Sequence, residues 1–266
     1  MCIRDSVGPG DEVVAGDKAF VIYKIMAKKF QAKCVEVPFK GHTHDLNAMR
    51  KAITPKTKLV FVANPNNPSG TRVTNADLDR FIHSLPAHVI CALDEAYIEF
   101  LDDPPPSVEY AMKHNVVLLR TFSKIVGLAG LRIGYGVAQK ECMALLQKVR
   151  QPFNVNAVAQ AGALAALGDT AHIRRTKTMT RRGLAYLEKE FRKLKLEFVP
   201  SCANFILVNV ADGDKVFRGL QQRGVIVRPM RGYKMPGWVR VTVGTMEENK
   251  RFIKALSVIL SEAKNP

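Results

Sequence analysis

Three continuous apolar runs punctuate the first half of the chain, and each of them ends in polar residues. The runs cover residues 59–63, 89–93 and 116–119 and are rich in β-branched side chains. Short apolar runs bounded by turn residues indicate strands that are buried on both faces, as in a parallel sheet. In open α/β sheets, ligands bind beyond the carboxyl ends of the strands. The pattern therefore predicts one polar site assembled from three distant segments.

The pattern changes after Pro152. Before it, strand and helix signals alternate. After it, two longer helical stretches at residues 157–167 and 176–194 precede short strands at 197–199, 205–210, 225–227 and 239–243. Thr245 and Glu248 then have the spacing of a capping box that opens a last helix. We expect a large α/β domain over residues 7–152 and a smaller α+β domain over residues 153–266, with the active site in the cleft between them.

A lysine flanked by hydroxyl residues follows the third apolar run. Lys124 comes directly after Ser123 and three residues after Thr121, and Arg132 stands further on in a glycine-rich segment. Lysine forms Schiff bases with carbonyl compounds, and hydroxyls together with an arginine bind phosphate. A carbonyl and a phosphate in one small cofactor suggest pyridoxal phosphate (PLP), which Lys124 would hold and whose phosphate the other three would clamp.

The other two runs end in residues that suit the same cofactor. Asp94 ends one of them, with Tyr97 close behind it, and Asn67 follows the other. A buried carboxylate at Asp94 would keep the pyridine nitrogen of PLP protonated, so that the ring accepts electrons. Asn67 and Tyr97 are candidates to hydrogen-bond the phenolic oxygen of the ring. Once the substrate replaced it, Lys124 would carry the proton between carbon atoms.

Each of these residues also has a purely structural interpretation. Lys124 could be a surface lysine after a strand, and Asp94 could cap a helix start. A strand-end arginine such as Arg228 is about as often solvated or ion-paired. His42 and His44 stand in a loop with no third ligand nearby, so the sequence favours no metal site.

Together the motifs resemble the signature of the fold-type I PLP enzymes, and among these the histidinol-phosphate aminotransferases. The matching segments are residues 9–14, 64–71, 94–97, 121–136, 224–230 and 239–245. The resemblance implies amino transfer between histidinol phosphate or imidazole-acetol phosphate and glutamate or 2-oxoglutarate, in histidine biosynthesis. Aromatic amino-acid aminotransferases and threonine-phosphate decarboxylases share the fold and remain alternatives.

The resemblance also implies roles for three further residues. Arg240 would bind the carboxylate of glutamate and, in the other half-reaction, the phosphate of histidinol phosphate. Arg228 would help to hold the substrate phosphate. Phe20 falls at the position of the aromatic residue that stacks on the PLP ring, where the family more often has tyrosine.

The start of the chain departs from the family. Residues 1–6 match nothing in it, and family members carry a substantial segment upstream of the part that matches Pro9. That segment provides an N-terminal arm, a helix beneath the PLP phosphate and a tyrosine that reaches the partner subunit's cofactor. The resemblance therefore implies a homodimer, and it implies that these 266 residues are a fragment. An inactive fragment is a further alternative.

Composition narrows the class without identifying the function. A hydrophobic content of 47% allows a sizeable core, and no apolar run reaches the roughly 18 residues of a membrane span. Five scattered cysteines without metal-ligand spacing favour the reducing cytoplasm. The net charge of +16 raises the alternative of a non-enzymatic PLP-binding or DNA-binding protein. Much of that charge, however, alternates with apolar residues at helical spacing, which favours a solvated helix face and no nucleic-acid partner.

Overall fold

The computed structural model describes residues 6–262, which fall into two compact units. Within the described residues, the first unit comprises residues 6–67 and 72–173, and the second comprises residues 68–71 and 174–262. The sequence analysis placed its domain boundary after residue 152. The two descriptions therefore differ over residues 153–173 and the short segment 68–71. The mismatch noted for residues 1–6 lies, apart from Ser6, outside the described residues.

The first unit is built on a six-stranded sheet in the order β2-β1-β3-β4-β5-β6. Its strands are β1 Glu12–Gly16, β2 Lys33–Val37, β3 Thr57–Ala63, β4 Ile90–Asp94, β5 Val116–Thr121 and β6 Gly134–Val137. The first five run parallel, and β6 pairs antiparallel with β5. The three apolar runs of the sequence are thus the neighbouring central strands β3, β4 and β5, as predicted.

Helices cover both faces of this sheet. They are α1 Ile22–Lys29, α2 Leu46–Lys51, α3 Asn75–Ser84, α4 Ser107–Lys113 and α5 Lys140–Val149. Helix α6, Ala157–Leu167, follows in the same unit. Along β3, Val60 and Val62 enter one apolar core, while Leu59 and Phe61 enter the other. A strand that fills a core on each side has no solvent-facing position. This explains why β3 is a continuous apolar run rather than an alternating one.

The second unit contains a four-stranded antiparallel sheet in the order β7-β8-β10-β9. Its elements are the strands β7 Phe198–Val199, β8 Phe205–Asn209, β9 Arg228–Pro229 and β10 Trp238–Thr242, with the helices α8 Gly213–Gln222 and α9 Met246–Glu262. Helix α7, Thr170–Lys193, begins before the unit boundary and packs Leu187 and Phe191 into the core of this sheet.

Helix α9 begins with the predicted capping box. The Thr245 N–H donates to Glu248 Oε2 (2.7 Å), and the Glu248 N–H donates to Thr245 Oγ1 (3.3 Å). These bonds satisfy two of the N–H groups that a helix start leaves without partners. Among residues 6–262, none of the helices has the length and apolarity to cross a membrane.

Candidate active site

A cavity of about 370 Å³ opens at the carboxyl ends of β3, β4 and β5, inside the first unit. Its volume lies in the range of roughly 300–1,000 Å³ that small-molecule sites occupy. Strand register explains the position, because Ala63 at the end of β3 pairs with Asp94 at the end of β4, and Asp94 pairs with Leu119 of β5. All eight residues that the sequence analysis assigned to the cofactor line this cavity: Phe20, Asn67, Asp94, Tyr97, Thr121, Ser123, Lys124 and Arg132.

The loop after β5 presents Lys124 to the cavity. Phe122 and Ile125 are buried and anchor the loop from below, so that Ser123 and Lys124 are left on the cavity side. The Gly127 N–H closes a turn onto the Lys124 carbonyl (3.0 Å), and Gly127 has φ of +83°, a conformation that favours glycine. The Lys124 Nζ lies 5.3 Å from the centroid of the Tyr97 ring. The amine is thus exposed on a loop that is itself firmly anchored.

Asp94 is held by two hydrogen bonds. The Tyr23 hydroxyl donates to its Oδ2 (2.5 Å), and the Ala96 N–H donates to its Oδ1 (3.1 Å). Burial raises the pKa of the Asp94 carboxyl above its ordinary value, while the bonds from Tyr23 and Ala96 and the nearby Lys124 charge act in the opposite direction. The site therefore contains a desolvated carboxyl group whose charge depends on a few identified partners.

The predicted phosphate ligands Thr121, Ser123 and Arg132 line the same cavity. The Thr121 Oγ1 accepts a hydrogen bond from the Ser123 N–H (3.1 Å), which folds the two hydroxyl residues toward each other. Arg132 is exposed, has φ of +54°, and donates from Nη1 to the Ala129 carbonyl (2.7 Å). An arginine has five N–H donors, so this contact leaves the guanidinium able to bind an anion.

Sequence reasoning missed two residues that line the same cavity, Tyr23 and Arg120. Tyr23 stands one helical turn after Phe20 on α1, and this spacing is the only sequence signal for it. Arg120 contacts Glu95 Oε2 through both Nε and Nη2, each at 2.8 Å. Ser107 donates to the other oxygen of Glu95, whose side chain has no solvent exposure. Glu95 thus ties β5 to the segment that follows Asp94.

Arg228 and Arg240 lie in the second unit and line a different cavity, of about 560 Å³. They are register partners on the antiparallel strands β9 and β10, so their side chains project from the same face of the sheet. The Arg240 guanidinium also lies over the Phe205 ring, 4.8 Å from its centroid. The structure brings the two predicted substrate arginines together, as a pair of cations beside one cavity.

The remaining histidine candidates take no part in these cavities. His44 is buried and packs against the Phe39 ring (4.6 Å between centroids), and burial lowers its pKa to about 4. A neutral imidazole packed on an aromatic ring fits the structural interpretation of this residue. Within the described part of the chain, no three histidine, cysteine, aspartate or glutamate side chains are grouped to hold a metal ion.

A mostly parallel sheet with a lysine, an aspartate and an asparagine at its carboxyl edge defines the class of fold-type I transferases. The family model for aminotransferase class I and II matches residues 1–256, and the chain belongs to this family. Its members depend on PLP. The predicted family and fold class are therefore confirmed.

Individual relatives agree with this assignment. The chain is 48% identical over 256 residues to the histidinol-phosphate aminotransferase of Akkermansia muciniphila, an alignment that covers 96% of this chain and 70% of the relative. It is 49% identical over 257 residues to histidinol-phosphate aminotransferase 1 of Cupriavidus pinatubonensis, covering 94% and 68%.

The fold is also that of solved structures. The histidinol-phosphate aminotransferase of Sinorhizobium meliloti, in complex with pyridoxal-5'-phosphate, superposes with a TM-score of 0.90 at 25% identity. That comparison covers 98% of this chain and 73% of the other. A tetra mutant of Thermus thermophilus aspartate aminotransferase gives a TM-score of 0.87 at 26% identity, over 97% and 76% of the two chains.

Proposed function

We propose that this chain is a PLP-dependent histidinol-phosphate aminotransferase, which transfers an amino group between histidinol phosphate and 2-oxoglutarate, or in reverse between glutamate and imidazole-acetol phosphate. The observation that carries the proposal is the convergence of all eight predicted cofactor residues on one cavity. The names of the relatives support the substrate pair.

The donor groups around the cavity match the chemical groups of PLP one by one. Lys124 offers an amine to the aldehyde, Asp94 a buried carboxyl to the ring nitrogen, and Phe20 an apolar face to the ring. Thr121, Ser123 and Arg132 offer two hydroxyls and a guanidinium to the phosphate, and Asn67 and Tyr97 offer polar atoms to the phenolic oxygen. When bound, PLP supplies an electron sink for the carbanion that forms at the substrate α-carbon.

Lys124 is the residue that moves the proton. With PLP bound, the Lys124 amine would take the proton from the substrate α-carbon and would later donate a proton, so that one group would act as base and then as acid. Lys124 is exposed on an anchored loop, which suits a side chain that must be released from the cofactor when the substrate binds and reattach to it afterwards. Tyr97, whose ring lies 5.3 Å from the amine, bounds the space in which it moves.

Arg240 and Arg228 bind the anionic ends of the substrates. Arginine binds carboxylate and phosphate oxygens through paired N–H donors. Two arginines in register on one sheet face can therefore bind the phosphate of histidinol phosphate. Arg240 alone can bind the carboxylate of glutamate. The aromatic ring of Phe205 beneath Arg240 limits the orientations of its guanidinium.

We propose that the protein acts in the cytoplasm as a homodimer, without a nucleic-acid or membrane partner. Helix α6 is apolar on all sides, yet Val158, Leu164 and Leu167 are 61–74% exposed. A helix of this composition is normally covered, and a second copy of the chain is the proposed cover. Light scattering of the purified protein tests the dimer, and a monomer at micromolar concentration would contradict it.

The substrate is tested by measuring 2-oxoglutarate-dependent amino transfer from histidinol phosphate, phenylalanine and threonine phosphate, each with added PLP. We expect histidinol phosphate to have the highest kcat/KM. Arg240→Gln should reduce it by about 10- to 100-fold, as expected for hydrogen bonds to a charged group worth about 1.5–3 kcal/mol. The matched control is Arg231→Gln, because Arg231 lines the same cavity but is paired with Asp214. Preference for phenylalanine, or release of CO₂ from threonine phosphate, would contradict the proposed substrate.

A further inference from the structure

The hydroxyl of Tyr23, on helix α1, makes a hydrogen bond with the side chain of Asp94, and both residues line the cavity. The two residues are 71 positions apart, and the O–H donates to Asp94 Oδ2 at 2.5 Å. We infer that Tyr23 is a positioning residue for the cofactor site. Its hydroxyl keeps the Asp94 carboxyl ionised and oriented to pair with the ring nitrogen of PLP. This inference rests on the proposed function, since it assigns Asp94 to PLP.

The Tyr23 ring is fixed from several sides. It is 5% exposed, stacks on Phe61 of β3 with 4.3 Å between centroids, and meets the Phe20 ring edge-on at 5.8 Å. A buried ring clamped in this way has little freedom to turn its hydroxyl elsewhere. The donor is therefore directed at Asp94 before any ligand enters, and Phe20 links the same aromatic cluster to the cavity wall.

The charged surroundings of Asp94 make this hydrogen bond consequential. Lys124, from the loop after β5, attracts the ionised carboxylate. Glu95 is the next residue, but its charge is matched by Arg120 of β5. Against these stands burial, the largest influence, which favours the neutral acid. Two hydrogen bonds oppose burial, from Ala96 on the same segment and from Tyr23 on α1, and only the second comes from a side chain.

Removal of the hydroxyl should therefore change the carboxyl group and not the packing. In Tyr23→Phe the stacked ring remains, while Asp94 loses a donor that favours its ionised form. The pKa of Asp94 should rise further above its ordinary value. A group whose folded-state pKa is raised is neutral up to a higher pH, so the ionised carboxylate that pairs with a protonated ring nitrogen is lost first at low pH. PLP affinity should fall, and most strongly below neutrality.

Two measurements on Tyr23→Phe test this. The first is the dissociation constant of PLP between pH 6 and pH 8, where we expect a weakening of about tenfold or more at pH 6, in line with a hydrogen bond to a charged group. The second is the pKa of the Asp94 carboxyl group, measured before PLP is added from the ¹³C chemical shift of its carboxyl carbon. We expect this pKa to be higher in the variant than in wild type. The matched control is Tyr110→Phe, which removes another buried hydroxyl bonded to an aspartate, Asp79, away from the cavity.

A double-mutant cycle separates positioning from packing. In the Asp94→Asn background, Tyr23→Phe should have no further effect on PLP affinity, because the group through which it acts is gone. An equal loss in both backgrounds, or an unchanged PLP affinity and an unchanged Asp94 pKa in Tyr23→Phe, would overturn the inference. If wild-type protein failed to bind PLP, the proposed function would fall, and the NMR shift would still decide whether Tyr23 controls the ionisation of Asp94.

Discussion

The buried pair of Glu95 and Arg120 gives the sharpest prediction about stability. Arg120→Met keeps a side chain of similar length but, among residues 6–262, leaves the Glu95 carboxylate with the Ser107 hydroxyl as its remaining side-chain hydrogen-bond partner. Breaking a buried ion pair by removing one member costs about 3–5 kcal/mol. The Glu95 side chain has no exposure, but that of Arg120 retains 23%, so we expect a loss near the lower end, about 3 kcal/mol.

The pH dependence of this loss follows from the carboxyl group. Burial raises the pKa of Glu95, and Arg120 and Ser107 oppose the rise. Without Arg120 the folded-state pKa must be higher still. A raised pKa means that stability is fully present below the ordinary value of 4.5 and is lost as the pH rises through the folded-state pKa. The difference between Arg120→Met and wild type should therefore be largest at pH 7 to 8 and should shrink as the pH approaches 4.5.

The assay is urea unfolding followed by circular dichroism at pH 7.5 and pH 5. The matched control is Lys113→Met, which breaks the exposed pair with Glu109 one helical turn away. Exposed pairs of this kind contribute little to stability, because solvent screens them. If Arg120→Met cost no more than the control, or if its cost grew toward pH 5, the argument from burial would be refuted.

Further predictions concern the second unit. Thr245→Ala should cost about 1 kcal/mol of unfolding free energy by removing the N-cap of α9, whereas Thr245→Ser should be nearly neutral. The hydrogen bonds from Thr245 lower the pKa of Glu248, so the stabilisation by its carboxylate is present above the ordinary value of 4.5 and is lost as the pH falls. The stability cost of Thr245→Ala should therefore be smaller at pH 3, and an undiminished cost there would contradict the capping box. Phe191→Ala should cost about 3–5 kcal/mol, because the ring is fully buried between Phe198 and Phe252. Thermal unfolding measures it against Met112→Ala, a 57% exposed position where a cost above about 0.5 kcal/mol would be unexpected.

Much of the first unit could be predicted because its strands are buried on both faces. Continuous apolar runs ending in polar residues have few other structural explanations, and their order along the chain led directly to the shared edge of Asn67, Asp94 and Lys124. The antiparallel strand β6 was not predicted, since Gly134, Tyr135 and Gly136 leave it without an apolar pattern.

The second unit shows where periodicity misleads. The apolar residues Val225 and Val227 predicted a strand, but strand pairing begins only at Arg228, after the turn at Gly224 with φ of +70°. The helix that was predicted to begin at residue 176 begins at Thr170. Its first turns are mostly polar and carry no apolar stripe, so the sequence pattern did not reveal them. Local patterns do not reveal which segment finds a hydrogen-bonding neighbour.

The contacts that the sequence analysis missed in the active site are long-range contacts between side chains. Nothing in the local sequence of Tyr23 or Arg120 indicates that they meet Asp94 and Glu95, because those pairs form only when α1 and β5 pack beside the end of β4. Candidate chemistry could thus be found from the residues at strand ends. The groups that orient it required the folded structure.

The central claim is that Lys124 holds PLP in the cavity at the carboxyl edge of the sheet. The most direct test is to incubate the protein with PLP, reduce the complex with borohydride, and identify the modified peptide by mass spectrometry, with Lys124→Ala in parallel. We predict a visible absorption band that disappears on reduction, the PLP mass on Lys124, and neither band nor label in the variant. A label on another lysine, or an equal band in Lys124→Ala, would contradict the account.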